Sequence, residues 1–144
     1  MHPLKLKMHP FRNVPFDCII FIVLLDPPYN TGARDWKYNN DYVDGNDQYR
    51  HSKWLSMMKK RLKLAKKLLN DSGCIFISID DGEASSLKLL CDEVIGAKHF
   101  VAQIPWRKRT AKSDVPFGIS QDYESVFCYA KENFVARQKG KERK

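Results

Sequence analysis

Apolar positions change their period several times along the chain, and each change predicts an element. Cys18-Ile-Ile-Phe-Ile-Val-Leu-Leu25 is continuously apolar, with β-branched Ile19, Ile20, Ile22 and Val23, which predicts a strand buried on both faces. Asp26-Pro27-Pro28 ends it. Residues 30–51 then run through Asn, Asp, Gly and Tyr with no sustained period, a polar stretch of the length that is usually functional or disordered. Leu55, Met58, Leu62, Ala65 and Leu69 recur at three- and four-residue steps, predicting a helix capped by Ser52 and closed by Gly73. Cys74-Ile-Phe-Ile-Ser-Ile79 reads as a second buried strand. Asp80 or Asp81 caps a second helix, with Leu87, Leu90, Cys91 and Val94 on its apolar face and Gly96 at its end. Strand, helix, strand, helix predicts a parallel sheet. Residues 100–106 and 125–130 are two further strands with only a basic loop between them, so they must pair antiparallel or lie apart.

Length and composition fit one globular domain: 144 residues, 43% hydrophobic, with a net charge of +8 that favours polyanionic partners. An irregular extension is expected over residues 1–17, a folded α/β unit over 18–131 and a basic tail over 132–144, in which, from residue 137 on, Arg137, Lys139, Lys141, Arg143 and Lys144 face Glu142 alone. Cys18, Cys74, Cys91 and Cys128 have no close pairing, which suits unpaired thiols in a reducing, intracellular compartment. The four histidines show no ligand spacing, so no metal is expected. The basic segment before residue 18 imitates a signal peptide, but Asp17 interrupts it. The apolar run after it is far short of the ~20 residues needed to span a bilayer. A soluble, cytoplasmic chain with no membrane partner is expected.

Asp26-Pro-Pro-Tyr29 falls where an open α/β sheet places its ligands, outside the carboxyl end of a parallel strand. Two prolines fix their φ angles and lack N–H groups, so the turn is stiff and its carbonyls can accept from a ligand. Asp26 adds a carboxylate, and Tyr29 a ring on which a base can stack, worth roughly 1–3 kcal/mol. Such a corner suits a planar heterocycle with an exocyclic amine, adenine for example. If the Asp26 side chain and the Pro27 carbonyl hold both N6–H bonds, the nitrogen lone pair localises and can attack an electrophilic methyl group. The same four residues also serve a plain strand end, as cap, breaker and packing ring.

Leu25-Asp-Pro-Pro-Tyr-Asn-Thr-Gly32 resembles the catalytic motif of the amino-group DNA methyltransferases. Trp54-Leu55, Arg61-Leu-Lys-Leu-Ala65, Ile75-Phe-Ile-Ser-Ile-Asp-Asp81 and Leu87-Lys-Leu-Leu-Cys-Asp-Glu93 resemble the segments that follow that motif in modification subunits of type III restriction systems, over residues 20–131. Asp ahead of Pro-Pro-Tyr is similar to the adenine-N6 enzymes; cytosine-N4 enzymes tend to carry Ser. The resemblance implies a Rossmann-like methyltransferase sheet whose parallel strands end in an antiparallel hairpin, with residues 18–131 as its catalytic half. It implies S-adenosylmethionine as donor, flipped adenine in DNA as acceptor, and Asp26, Pro27, Pro28 and Tyr29 as catalytic residues. Asn30, Arg107, Lys108, Arg109 and Lys112 are then expected on the substrate. A complementary methyltransferase half or a restriction subunit is an expected partner.

Two departures set the expected activity. The family's Phe-x-Gly-x-Gly loop for S-adenosylmethionine has no counterpart, because no two of the seven glycines stand two residues apart. The first twenty residues lack the acidic Gly-Asp/Asn segment usual ahead of the catalytic strand. A truncated or split product is expected, one that alone binds the donor weakly and methylates little DNA. A rival of another class is a non-catalytic nucleic-acid-binding or subunit-interaction fragment, and a third is RNA methylation in the same crevice. Lys53, Lys59, Lys60, Arg61, Lys63, Lys66 and Lys67 fit either a solvated helix face or phosphate contacts. Trp36, Tyr38, Tyr42 and Tyr49 either anchor the polar stretch or flank a flipped nucleotide.

Overall fold

A computed structural model of the chain describes residues 20–34, 36–107 and 122–135. The first apolar run forms β1 (Ile20–Leu25). Within the polar stretch that follows, β2 (Lys37–Tyr38) and β3 (Asp41–Tyr42) make a small hairpin. Its turn residues Asn39 and Asn40 have φ of 51° and 72°, the pair of positive values that a two-residue hairpin turn requires. Then come α1 (Arg50–Leu68), β4 (Leu69–Ile79), α2 (Asp81–Cys91), β5 (Phe100–Arg107) and β6 (Tyr123–Ala130). The main sheet has the order β1-β4-β6-β5. β1 and β4 are parallel, as the helical crossover between them demands, while β6 runs antiparallel to both β4 and β5. The fold is thus α/β with parallel strands leading into an antiparallel hairpin.

Both helices pack on one face of this sheet. Trp54, Met58 and Leu62 of α1 and Leu87 and Cys91 of α2 close over Ile75, Ile77 and Ile79 of β4 and Phe127 and Tyr129 of β6. Asp80 caps α2 by accepting from the Gly82 amide at 3.1 Å. The helical path continues through a π turn over Asp92–Gly96, where Gly96 closes it at φ 116°.

Three sequence expectations need correction. α1 begins before Ser52: Tyr49 is its N-cap, with no side-chain cap of its own, and Asp47 organises the entry by accepting from the Tyr49 amide at 2.8 Å and pairing with Lys53. α1 also ends before Gly73, because buried Leu69 completes the helical stripe and at once starts β4 by pairing with Ile20. Gly73 therefore lies inside a strand. Finally, β1 is not buried on both faces: among the described residues it is the sheet's edge, and Phe21, Ile22 and Leu24 are exposed, Leu24 by 75%. By register, Ile22, Leu24, Phe76, Val126, Ile104 and Trp106 share the face away from the helices. Among the described residues that face holds only a small cluster of Cys74, Cys128 and Ala130 with Phe76 and Phe134. No described helix is long and apolar enough to cross a membrane.

A Cβ on Gly73 would stand 2.7 Å from Leu69 Cδ1 and 2.9 Å from the Phe21 carbonyl oxygen. The backbone oxygen cannot swing aside, so Gly73→Ala should destabilise the fold by roughly 1–3 kcal/mol, read as a lower urea midpoint at unchanged slope. An unchanged midpoint would show that β1 and β4 are not held this closely.

Candidate active site

Asp26 to Asn30 leave the carboxyl end of β1 and are gripped by side chains from four other elements. The Ser78 hydroxyl of β4 donates to Asp26 Oδ1 at 2.6 Å. Trp54 of α1, fully buried, donates from its indole nitrogen to the Pro28 carbonyl at 2.7 Å. The Pro28 carbonyl is therefore taken up by the core, while the one expected to face the amine is that of Pro27. Tyr29 rests its half-buried ring on the core and donates its hydroxyl to Glu124 Oε2 of β6 at 2.9 Å. Asp26, Pro27, Pro28 and Tyr29 thus form one corner.

Asn30 is placed differently from expectation. It is 3% exposed at φ 60°, donates from Nδ2 to Glu83 Oε1 of α2 at 2.5 Å and accepts at Oδ1 from the Trp36 indole at 3.2 Å. Both ends of its amide bond to the protein interior, as a buried polar group requires. Arg107 ends β5 opposite Tyr123, next to Glu124, and so stands exposed at the corner's end of the sheet. Lys108, Arg109 and Lys112 lie outside the described residues.

The basic face of α1 is partly committed to structure. Lys53 pairs with Asp47, Lys59 with Glu93, and Lys66 donates to the Val94 carbonyl at 2.9 Å. Of the aromatic residues in the polar stretch, Trp36 is buried and Tyr38 packs on the core, while Tyr42, beneath the Lys37 ammonium, and Tyr49 are exposed. Burial pushes the Cys91 thiol up to about 12 and the Cys128 thiol up to about 11, values that suit inert packing groups.

Sequence reasoning missed Ser78, Glu124, Trp54 and Glu83 as supports of the corner. Ser78 carries a signal, as the lone hydroxyl in the apolar run 74–79. The others join residues 95, 26 and 53 positions apart, which no local pattern reveals.

Burial raises the Tyr29 phenol; a hydrogen bond with Ser78 opposes this, the bond to Glu124 and the charges of Glu124 and Asp26 reinforce it, and the value reaches about 12. Because this lies above the ordinary 10.0, the neutral phenol favours the folded state below pH 10, and the contribution is lost as pH climbs through about 12. An alkaline absorbance titration should show a late tyrosine component that Tyr29→Phe removes and Glu124→Gln moves toward lower pH. If Glu124→Gln leaves it in place, the Tyr29–Glu124 bond is not formed in solution.

Residues 20–143 match a family model described as DNA methylase. The chain is 36% identical over 137 residues to the type III restriction-modification enzyme EcoPI Mod subunit of Escherichia phage P1, covering 79% of this chain and 21% of that protein. It is 38% identical over 131 residues to the StyLTI Mod subunit of Salmonella typhimurium, covering 76% of this chain and 20% of the relative. The chain spans about a fifth of the length of these curated relatives. Among solved structures, the M1.HpyAVI–SAM complex superposes with a TM-score of 0.51 at 17% identity, over 87% of this chain and 52% of the other, a likeness of fold.

Proposed function

The chain belongs to the DNA methylase family, and from that premise we propose that its Asp26–Tyr29 corner carries methyl transfer from S-adenosylmethionine to the N6 amine of a flipped adenine in DNA. The single observation that carries this is the corner itself: a carboxylate and a ring held at the tip of a parallel strand by bonds from Ser78 and to Glu124. Asp26 Oδ2 and the Pro27 carbonyl accept the two N6–H bonds, so that positive charge developing on nitrogen meets negative ends. The Tyr29 ring supplies the stacking surface, its hydroxyl end fixed by Glu124. Ser78 orients Asp26, and Trp54 locks the turn by occupying the Pro28 carbonyl. Arg107 lies at the same end of the sheet, where a guanidinium meets backbone phosphate.

S-adenosylmethionine, when bound, would supply an electrophilic methyl on a sulfonium and leave as the neutral thioether, with the amine's proton passing to solvent. An acidic strand tip suits that cationic donor. The chain's glycines, none two apart, offer no paired-glycine turn for the donor's ribose and methionine ends, so the corner meets the donor at its methyl group alone. Weak donor binding by the chain on its own, and completion of the site by a complementary methyltransferase half or a restriction subunit, belong to the same proposal. The names of the curated relatives support the type III setting.

Calorimetry with S-adenosylmethionine, filter binding to DNA across salt concentrations, and tritiated methyl transfer test it together. DNA affinity should fall with rising salt, because the contacts are to phosphate. Methyl transfer should be near background for the chain alone, and any turnover above background should be lost in Asp26→Ala. DNA binding with no detectable donor binding at any concentration favours the non-catalytic fragment. Robust turnover that Asp26→Ala leaves untouched overturns the assignment of the corner.

A further inference from the structure

Glu83 has no part in the chemistry above, yet its carboxylate is 1% exposed and lies beneath the corner. Burying a carboxylate is costly unless its oxygens are bonded, and a buried polar atom left alone calls for an explanation. One oxygen, Oε1, accepts from Asn30 Nδ2 at 2.5 Å and is also in contact with His51 Nδ1. The other, Oε2, is buried with no hydrogen-bond partner among the described residues. Asn30 opens the polar stretch 30–51, and His51, in the first turn of α1, closes it. Both ends of the stretch therefore converge on a single oxygen atom of α2.

The stretch is folded tightly on itself between those two ends. Trp36 donates to the Asn30 amide oxygen, Arg50 Nη1 donates to the Gly45 carbonyl at 2.9 Å, and a Cβ on Gly45 would stand 3.2 Å from the Gly32 carbonyl oxygen. Asn30 itself holds φ 60°, a left-handed turn that Asn tolerates better than most side-chain-bearing residues. It immediately follows Tyr29 in the chain, so whatever fixes Asn30 fixes the exit of the corner.

We propose that Glu83 is a positioning residue, a buried latch that shuts the loop between Asn30 and His51 and, through Asn30, sets the Pro28 turn and the Tyr29 ring. The latch stands on geometry alone; its meaning for catalysis rests on the proposed methyl transfer. With the latch shut, exposed Tyr42 and Tyr49 are carried on a loop of defined shape beside the corner rather than on a wandering one. What the latch needs is an acceptor oxygen at this point, since Asn30 is a neutral donor and His51 donates through Nδ1–H.

Hydrogen exchange read by mass spectrometry on the whole chain tests this, with the Trp36 indole N–H resonance as second readout. In Glu83→Ala, amides of residues 36–49 should exchange about tenfold faster or more and the Trp36 resonance should move, while amides of 54–66 and 74–79 keep their protection. Glu83→Gln retains an acceptor oxygen and should stay within about threefold of the parent chain. A folded Glu83→Ala with unchanged loop exchange overturns the proposal, and so does Glu83→Gln as loose as Glu83→Ala, which would mean that charge and not the two-ended bond holds the loop. Should Glu83→Ala fail to fold, His51→Ala removes only a side chain that is 57% exposed. It should loosen residues 43–50, and no loosening there also overturns the latch. None of these readouts uses methyl transfer, so the latch can fail while the methylation reading stands, and the methylation reading can fail while the latch stands.

Discussion

Pro27 and Pro28 have no amide hydrogen, so the turn that leaves β1 cannot be held by a backbone ladder and must be gripped by side chains. Four elements supply the grips: Ser78 from β4, Trp54 from α1, Glu83 from α2 by way of Asn30, and Glu124 from β6. Each of those side chains is placed by the packing of its own element. Trp54 is the clearest instance, since its ring fills the core between helix and sheet while its indole nitrogen fixes the Pro28 carbonyl. The geometry of the corner is in this sense a readout of the assembled domain, and no short peptide carrying Asp-Pro-Pro-Tyr would keep it.

The elements that periodicity could reveal are the ones that were legible. α1 and α2 followed from three- and four-residue recurrence, and the antiparallel β5–β6 pair from the missing crossover between two apolar runs. Boundaries failed where one residue answers two demands. Leu69 is the last apolar step of a helical stripe and the first rung of a strand, so no loop chemistry marks the change and Gly73 was misread as a terminator. The face of β1 failed for another reason: a continuous apolar run says that a strand is sticky on both sides, not that both sides are covered. The Asn39-Asn40 turn was readable in principle, as a pair of residues tolerant of positive φ, but flanking strands of two residues leave no alternation to notice.

Within the corner, residue types were informative and residue duties less so. Asp26 and Tyr29 stand at the strand tip, yet the side chains that aim them come from far along the chain and were invisible to local pattern. Asn30 shows the hazard of contiguity: lying next to a reactive motif, it invites assignment to ligand, whereas burial and a left-handed backbone turn it inward. The lysines of α1 teach the same lesson about charge. Lys53, Lys59 and Lys66 tie the helix to Asp47, Glu93 and the Val94 carbonyl, so only part of the basic face remains for an anionic partner.

β1 is the edge of the main sheet among the described residues, and its outward apolar side chains stand beside that unpaired backbone. Such an edge is adhesive toward any other strand, including the same strand in a neighbouring molecule. What opposes that meeting is mutual repulsion between copies that each carry +8. The surplus of lysine and arginine therefore bears on how two copies meet as well as on any anionic partner.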